Sequence, residues 1–215
     1  MNDNFINTQY DVTKKSKLRQ FYDGNRKLIF SFLSVLLITI ASLSIYSYFK
    51  EKKKIELSEK YINAKMYLKN GKKVEALNIL NKIIYSNDST YSTLSLFEIV
   101  NENIEDDDEK VIVLFEHVLE NNKFDNEIKN LIILKKAIFE TNFTDEQKIL
   151  ETIKPLINEE TLWKAHALML AGNYYFSKNE IIKAKDFFSQ ILSIENLNKE
   201  LLDQANHQLR LIIND

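Results

Sequence analysis

Three histidines, His117, His166 and His207, are the side chains here best suited to acid–base or metal chemistry near neutral pH. They fall on three different predicted helices and lack the H-x-x-x-H spacing that places two ligands on one helix face. The acidic run Glu105 to Glu109 lacks the glycine and the distant glutamate of a calcium loop. We interpret that run as an acidic loop leading into a helix, where negative charge complements the helix dipole.

The other common chemical motifs are missing from the sequence. No cysteine is present, which excludes disulfides and thiol chemistry but does not identify a compartment. The sequence has neither a glycine-rich phosphate loop nor a serine nucleophile elbow. We therefore predict no catalytic, metal or cofactor site, so that the protein is not an enzyme and needs no cofactor.

An uncharged apolar stretch, Leu28 to Phe49, separates a basic start from an acidic remainder. Its 22 residues would form a helix of roughly 33 Å, enough to cross a hydrocarbon core of roughly 30 Å. Lysine and arginine stand at both ends of the stretch. We predict a single, uncleaved transmembrane helix. A buried core helix and a cleaved signal peptide are the alternatives.

Charge alone does not orient this predicted anchor. Six lysines and arginines lie close to each end of it, so the positive-inside rule favours neither orientation. Residues 1–54 carry ten Lys/Arg and four Asp/Glu, a charge of +6, whereas residues 55–215 carry 19 and 27, a charge of −8. The acidic part is a poor candidate for nucleic-acid binding, and none is expected.

The sequence after the anchor has helical periodicity and contains few glycines or prolines, which predicts an all-α domain. One predicted hairpin pairs Ile55 to Asn70 with Val74 to Tyr85, with Gly71 between the helices. A second pairs Leu162 to Ser177 with Ile182 to Ile194. The two hairpins align 108 residues apart, as small–aromatic–small–large patterns: Ala64 with Gly172, Tyr67 with Tyr175, Ala76 with Ala184, Leu80 with Phe188, and Ile83 with Ile191.

The middle of the chain fits two degenerate copies of the same hairpin. Neither copy keeps a small residue at both key positions, and Pro155 is expected to kink or end its helix. Leu201 to Ile213 is predicted to be a closing helix, as stacked repeats require. The predicted helices of the middle copies are Tyr91 to Val100, Glu109 to Leu119, Glu127 to Thr141 and Asp145 to Asn158.

This pattern resembles the tetratricopeptide-repeat superfamily, whose repeats of about 34 residues stack into a solenoid. With the preceding anchor, the layout resembles the bacterial YfgM-type family, the ancillary subunit of the Sec translocon. The resemblance implies an inner-membrane anchor with a cytoplasmic N-terminus and periplasmic repeats. The domain boundaries that we predict are a basic tail at 1–27, a transmembrane helix at 28–49, a linker at 50–57, about four repeats at 58–196 and a capping helix at 197–215.

The resemblance also implies a partner-binding groove on the first helix of each repeat. Asn173 matches an asparagine of the superfamily's carboxylate-binding members, whereas Met169 stands where those members carry lysine. Packing against a neighbouring repeat is the alternative role for each groove position. The groove positions are Tyr61, Lys65 and Leu68 in the first repeat, and His166, Met169, Asn173 and Phe176 in the last.

These observations predict a membrane-anchored protein-interaction module. The expected partners are Sec translocon subunits and periplasmic chaperones, with no small-molecule substrate. The alternative functions are an envelope scaffold that organises cell-wall or division proteins, and an enzyme whose site the sequence does not reveal.

Overall fold

The computed structural model describes residues 17–214 and folds them into nine helices, with no strand among them. The all-α prediction is confirmed. Most of the predicted basic tail lies outside the described residues. The chain divides into two compact units, Met1–Ile55 and Glu56–Asp215. The helices are α1 (Lys17–Lys69), α2 (Lys73–Ile84), α3 (Ser89–Glu102), α4 (Asp108–Asn121), α5 (Asn126–Glu140), α6 (Glu146–Asn158), α7 (Lys164–Ser177), α8 (Ile181–Leu192) and α9 (Lys199–Asn214).

The described part of the first unit consists of the N-terminal portion of α1, which contains the apolar stretch. Asn25 departs from helical geometry there, with φ −115° and ψ 16°. The Ser34 and Thr39 hydroxyls donate to backbone carbonyls one turn back, each at 2.9 Å, which satisfies two polar groups of the stretch internally. Its most apolar window has a mean hydropathy of 2.5 and is 0% buried, so this helix is not the core of the described protein.

The second unit is a succession of helices in which, from α2 onward, each helix packs against the next. Ala64 at the end of α1 shares a buried cluster with Leu80 of α2. The unit's buried apolar side chains form three clusters among the described residues, in chain order. The first joins the end of α1 to α5, the next joins α5, α6 and α7, and the last joins α7, α8 and α9. Each helix pair therefore shares its core only with its neighbours, which is the packing of a repeat array.

The outer hairpins, α1–α2 and α7–α8, have the same geometry 108 residues apart. Gly71 and Asn179 occupy equivalent left-handed positions, with φ of 73° and 60°. The next residue of each turn closes it with an N–H···O bond of 2.9 Å, from Lys72 to the Tyr67 carbonyl and from Glu180 to the Tyr175 carbonyl. The second helices begin and end at equivalent positions, Lys73–Ile84 and Ile181–Leu192.

Asparagine provides the other left-handed turn residues of the described chain. Asn87, Asn103 and Asn196 have φ values of 56°, 45° and 56°. Asparagine tolerates this conformation better than other residues that carry a Cβ. A chain with three glycines can therefore still make tight turns between its helices.

Helix α7 approaches α8 closely because position 172 has no side chain. A Cβ atom built at Gly172 would lie on the Phe188 ring, 2.7 Å from Cδ1 and 2.8 Å from Cζ. Phe188 is fully buried, in an interior where side chains are closely packed. At the equivalent place in the first hairpin, Ala64 and Leu80 lie in one buried cluster.

The middle pairs, α3–α4 and α5–α6, use different small residues. Ser92 and Ser95 are fully buried in α3, and the Ser92 hydroxyl donates to the Ile84 carbonyl at 2.9 Å. Ala137 is fully buried in α5. Of the two effects expected of Pro155, a kink or the end of its helix, the proline does not end α6, which continues to Asn158.

Aspartates precede four of the described helices, and three of them cap their helix through the side chain. The side chains of Asp88, Asp107 and Asp145 accept backbone N–H bonds from the first turns of α3, α4 and α6. The acidic run thus leads into α4, as predicted. The N–H of Lys110 donates to Asp107, and this bond is the main reason why the pKa of Asp107 lies below its usual value.

Candidate functional site

The first helices of successive pairs lie side by side and form one face of the repeat unit, which we call the groove face. Side-chain contacts join α1 to α3, α3 to α5 and α5 to α7 along this face. The Trp163 indole N–H, for example, donates to the Glu127 carbonyl at 2.9 Å. All seven groove residues predicted from the sequence lie on α1 or α7.

At the start of the groove face, the candidate residues contact other residues of the domain. The Tyr61 hydroxyl donates to Glu98 at 2.9 Å, and Lys65 pairs with the same carboxylate at 3.2 Å. Burial, with the bond to Glu98 and its charge, raises the pKa of Tyr61 to about 12. Leu68 packs against the first core cluster. A ligand here would have to compete with these contacts for Tyr61 and Lys65.

At the other end of the groove face, the candidate residues border open space. Met169 and Asn173 line a cleft of about 690 Å³ between α7 and α9, and Asn173 is exposed. His166 is exposed and lies beside Trp163, with ring centroids 5.5 Å apart. Phe176 packs against the last core cluster. The residues that α9 adds to the cleft are Lys199, Glu200, Asp203, Gln204, His207 and Gln208.

This cleft suits binding better than catalysis. Its wall from α9 carries a lysine, an imidazole, two carboxylates and two amides, which can pair with backbone and polar groups of a peptide. Met169 adds a flexible apolar surface that adapts to different side chains. Within residues 17–214, no three His, Asp or Glu side chains are grouped in a way that could hold a metal ion.

Sequence reasoning missed the contribution of α9 to this cleft. The sequence pattern predicts only a closing helix there. The polar residues from Lys199 to Gln208 recur at helical spacing. This pattern indicates that one face of the helix is polar, and such a face can contact a partner as well as close the repeat array.

A second polar cluster, also missed, joins α6 to the last hairpin. The Tyr175 hydroxyl donates to Glu146 at 2.6 Å, and Lys183 pairs with Glu146 at 2.9 Å and with Glu180 at 2.8 Å. The bond from Tyr175 is the main reason that the pKa of Glu146 is lowered, and the bonds to Glu180 and Glu146 raise the pKa of Lys183. Burial, followed by the bond to Glu146, raises the pKa of Tyr175.

A buried lysine of α5 pairs with a half-exposed glutamate of α4 and lies near a buried glutamate of its own helix. Lys136 is 8% exposed and bonds Glu116 at 2.9 Å, while Glu140, one turn later, is 0% exposed with an oxygen 3.8 Å from the same ammonium. Burying these charges is expensive unless they are paired. The i,i+4 spacing of Lys136 and Glu140 was visible in the sequence, but their burial was not.

Comparison with known families gives a match over most of the chain. The family model described as tetratricopeptide repeat-like domain covers residues 19–211. The matched range includes the apolar part of α1 and extends into α9. No curated protein and no solved structure gives a significant match to the chain.

Proposed function

We propose that this chain, which belongs to the tetratricopeptide repeat-like domain family, is a membrane-anchored module for binding other proteins. Its N-terminus lies in the bacterial cytoplasm, α1 crosses the inner membrane, and the repeats lie in the periplasm. As in the YfgM-type family that the layout resembles, the repeats bring exported proteins and periplasmic chaperones to the Sec translocon. Domains of this family typically act as non-catalytic interaction scaffolds, so we propose no enzymatic activity.

The observation that carries the proposal is the unburied apolar window of α1. This helix is long and apolar enough to cross a membrane, and none of that window is covered by protein. Leucine, isoleucine and phenylalanine at mid-membrane each favour insertion by about 0.3–0.6 kcal/mol. A helix of this composition is therefore more stable in hydrocarbon than in water.

The proposed orientation is supported by the resemblance and is compatible with the charges. Large domains cross the membrane largely regardless of their charge, so the tie between the two flanks does not oppose periplasmic repeats. The net negative charge of the repeats also provides no general attraction to anionic lipid headgroups.

The proposed partner site is the end of the groove face formed by α7 and α9. Met169 and Asn173 border the open cleft there, whereas Tyr61 and Lys65 make hydrogen bonds and ion pairs within the domain. A bound segment would therefore contact the last repeat with little loss of existing contacts.

Protease treatment of intact spheroplasts tests the topology. We expect added protease to remove the repeats while an N-terminal tag survives. Protected repeats together with a cleaved tag would place the domain in the cytoplasm, which would contradict both the orientation and the translocon role.

Photocrosslinking in the native membrane then tests the partners. We expect translocon subunits and periplasmic chaperones, with yields that fall for Asn173→Arg and persist for Asn78→Arg, a matched change at an exposed position of α2. Recovery of cell-wall or division proteins in their place would support the envelope scaffold and contradict the translocon role.

A further inference from the structure

A second open cleft lies on the opposite side of the hairpins from the groove face, between the second helices α6 and α8. Its volume is about 750 Å³, about twice the 360 Å³ of the corresponding cleft beside α2 and α4. Leu150 and Ile157 of α6 and Phe187 of α8 form its apolar floor, and all three are half-buried. The proposed function does not use this surface.

Contacts with buried side chains hold the three floor residues in place. The Phe187 ring stacks on the Tyr175 ring, with centroids 5.4 Å apart and planes 9° apart. Tyr175 is itself fixed by its bond to Glu146. Leu150 and Ile157 pack against the two C-terminal core clusters. An apolar ligand would therefore meet a preformed surface rather than one that must first be ordered.

The spacing of the floor matches a helix. Leu150 and Ile157 are seven residues apart on α6, which corresponds to two turns and roughly 10.5 Å. An amphipathic helix presents side chains at i, i+4 and i+7 over the same length. Such a helix could place one apolar side chain beside each end of the floor and one against Phe187.

The charged residues at the edge of the cleft, which we call its rim, favour some ligands over others. The carboxylates of Asp145 and Glu151 are exposed at the cleft, while Lys183 neutralises Glu146. Lys154 is the cation that lines the cleft, beyond Glu151 along α6. The acidic rim belongs to a part of the chain with a charge of −8, which disfavours both a second acidic copy and an anionic lipid surface.

We propose that the α6–α8 cleft binds an amphipathic helical segment of another protein, with leucine-like side chains at i, i+4 and i+7 and with flanking lysine or arginine. Its basic end lies beside Asp145 and Glu151, and its apolar side chains contact Leu150, Phe187 and Ile157. The surface is separate from the groove face, so one repeat unit can hold two partners at once.

A peptide probe tests this proposal on the full chain in nanodiscs of zwitterionic lipid. The probe is an alanine-based helix of about 14 residues, four turns, with three leucines at i, i+4 and i+7 and with lysines on its other faces. Its counterpart carries glutamate in place of lysine. The natural chain has no cysteine, so Lys154→Cys takes a photocrosslinker at a single defined place beside the cleft.

We expect the lysine peptide to give at least about fivefold more adduct than the glutamate peptide, because charge complementarity favours the first and opposes the second. The same crosslinker at Lys185→Cys, an exposed position of α8 outside the cleft lining, should give little adduct. Equal adducts from the two peptides, or from the two positions, would overturn the proposal.

A charge reversal provides the second measurement. Glu151→Lys should reduce adduct formation by the lysine peptide about threefold or more, whereas Glu120→Lys, an exposed change on α4, should leave it unchanged. Both residues are exposed, so circular dichroism should show folded repeats in both variants. An equal reduction by the two changes would mean that the peptide senses only the overall charge, which contradicts binding in the cleft.

Discussion

The hairpin of α7 and α8 lies between α6 and α9, whereas the hairpin of α1 and α2 begins the repeat unit. Their backbones are equivalent, but their surroundings differ. Tyr175 is 2% exposed, while the equivalent Tyr67 is half-buried. Ile62 and Met66 are 57% and 59% exposed on the first hairpin. Local sequence thus builds the same hairpin twice, and the neighbouring helices decide which of its residues become core.

The two hairpins also bring their helices close together in different ways. The last hairpin combines no side chain at Gly172 with a large ring at Phe188, and the first combines a methyl group at Ala64 with the smaller Leu80. Total volume is what a packed interior conserves. Each pair should therefore tolerate a change only when its partner changes in the opposite direction.

The largest effect should come from breaking this volume match. Gly172→Ala places a methyl group on the Phe188 ring, and we expect the free energy of unfolding to fall by about 3 kcal/mol. Urea unfolding of the full chain in detergent, followed by fluorescence of Trp163, the single tryptophan, measures the change.

Two control variants accompany that measurement. Ala64→Gly should cost only about 1 kcal/mol, the usual penalty of glycine inside a helix. Adding Phe188→Leu to Gly172→Ala recreates the pair of the first hairpin and should restore part of the loss. An unchanged urea midpoint for Gly172→Ala alone would mean that α7 and α8 are not as close as described.

The next effect concerns the two tyrosines that bond carboxylates. Tyr175→Phe removes the 2.6 Å bond to Glu146 and should lower the free energy of unfolding by about 1.5 kcal/mol, since bonds to charged groups are the stronger ones. Tyr61→Phe removes the 2.9 Å bond to Glu98 and should cost about half as much, because Tyr61 is less buried.

Titration of the tyrosinate absorbance gives a second readout of the same pair. A raised pKa means that the bonded, neutral phenol stabilises the fold below pH 10 and that this contribution is lost as the pH rises through about 12 for Tyr61. Both tyrosines should therefore ionise later than exposed ones. Ordinary titration of all ten tyrosines of the chain would contradict both hydrogen bonds.

A smaller effect is expected at the two equivalent turns. Asn179→Ala and Gly71→Ala each place alanine at positive φ and should cost about 1 kcal/mol. The exchange of the two natural residues, Gly71→Asn with Asn179→Gly, should change stability by less than about 0.5 kcal/mol. Thermal unfolding by circular dichroism separates these cases, and a costly exchange would show that the two turns are not equivalent.

The smallest expected effect is a loss of stability of the last hairpin at acidic pH. The pKa of Glu146 is lowered on folding, so its contribution is present above the unfolded value of 4.5 and is lost as the pH falls through the folded value. Glu146→Gln should remove this part of the pH dependence between pH 5 and 3 as seen by Trp163 fluorescence. Lys82→Met, on the first hairpin, should leave that part unchanged.

Much of the fold was predictable because it depends on local patterns. The apolar length of Leu28 to Phe49, the helical spacing after it and the 108-residue alignment all reflect backbone geometry that short segments determine. The middle hairpins were harder to predict. There, Ser92 and Ser95 take the place of alanine or glycine. The Ser92 hydroxyl donates to the Ile84 carbonyl, and this tertiary contact offsets the cost of burying a polar group.

The candidate sites were less predictable than the fold. The positions of Met169 and Asn173 on α7 followed from the repeat pattern, but the cleft beside them needs α9, which lies about 30 residues further along the chain. The α6–α8 cleft depends on how far apart two helices from different repeats lie. No local pattern encodes that distance.

The sequence by itself determined the helices, their turns and the apolar helix, since these follow from hydrophobic periodicity, capping residues and chain length. Tertiary structure alone decided that Lys65 pairs with Glu98 while Asn173 faces an open cleft, although the two positions are equivalent in the repeat. The physical reason is that a side chain's partners come from the helices packed around it. In a repeat array, those neighbours differ at every step.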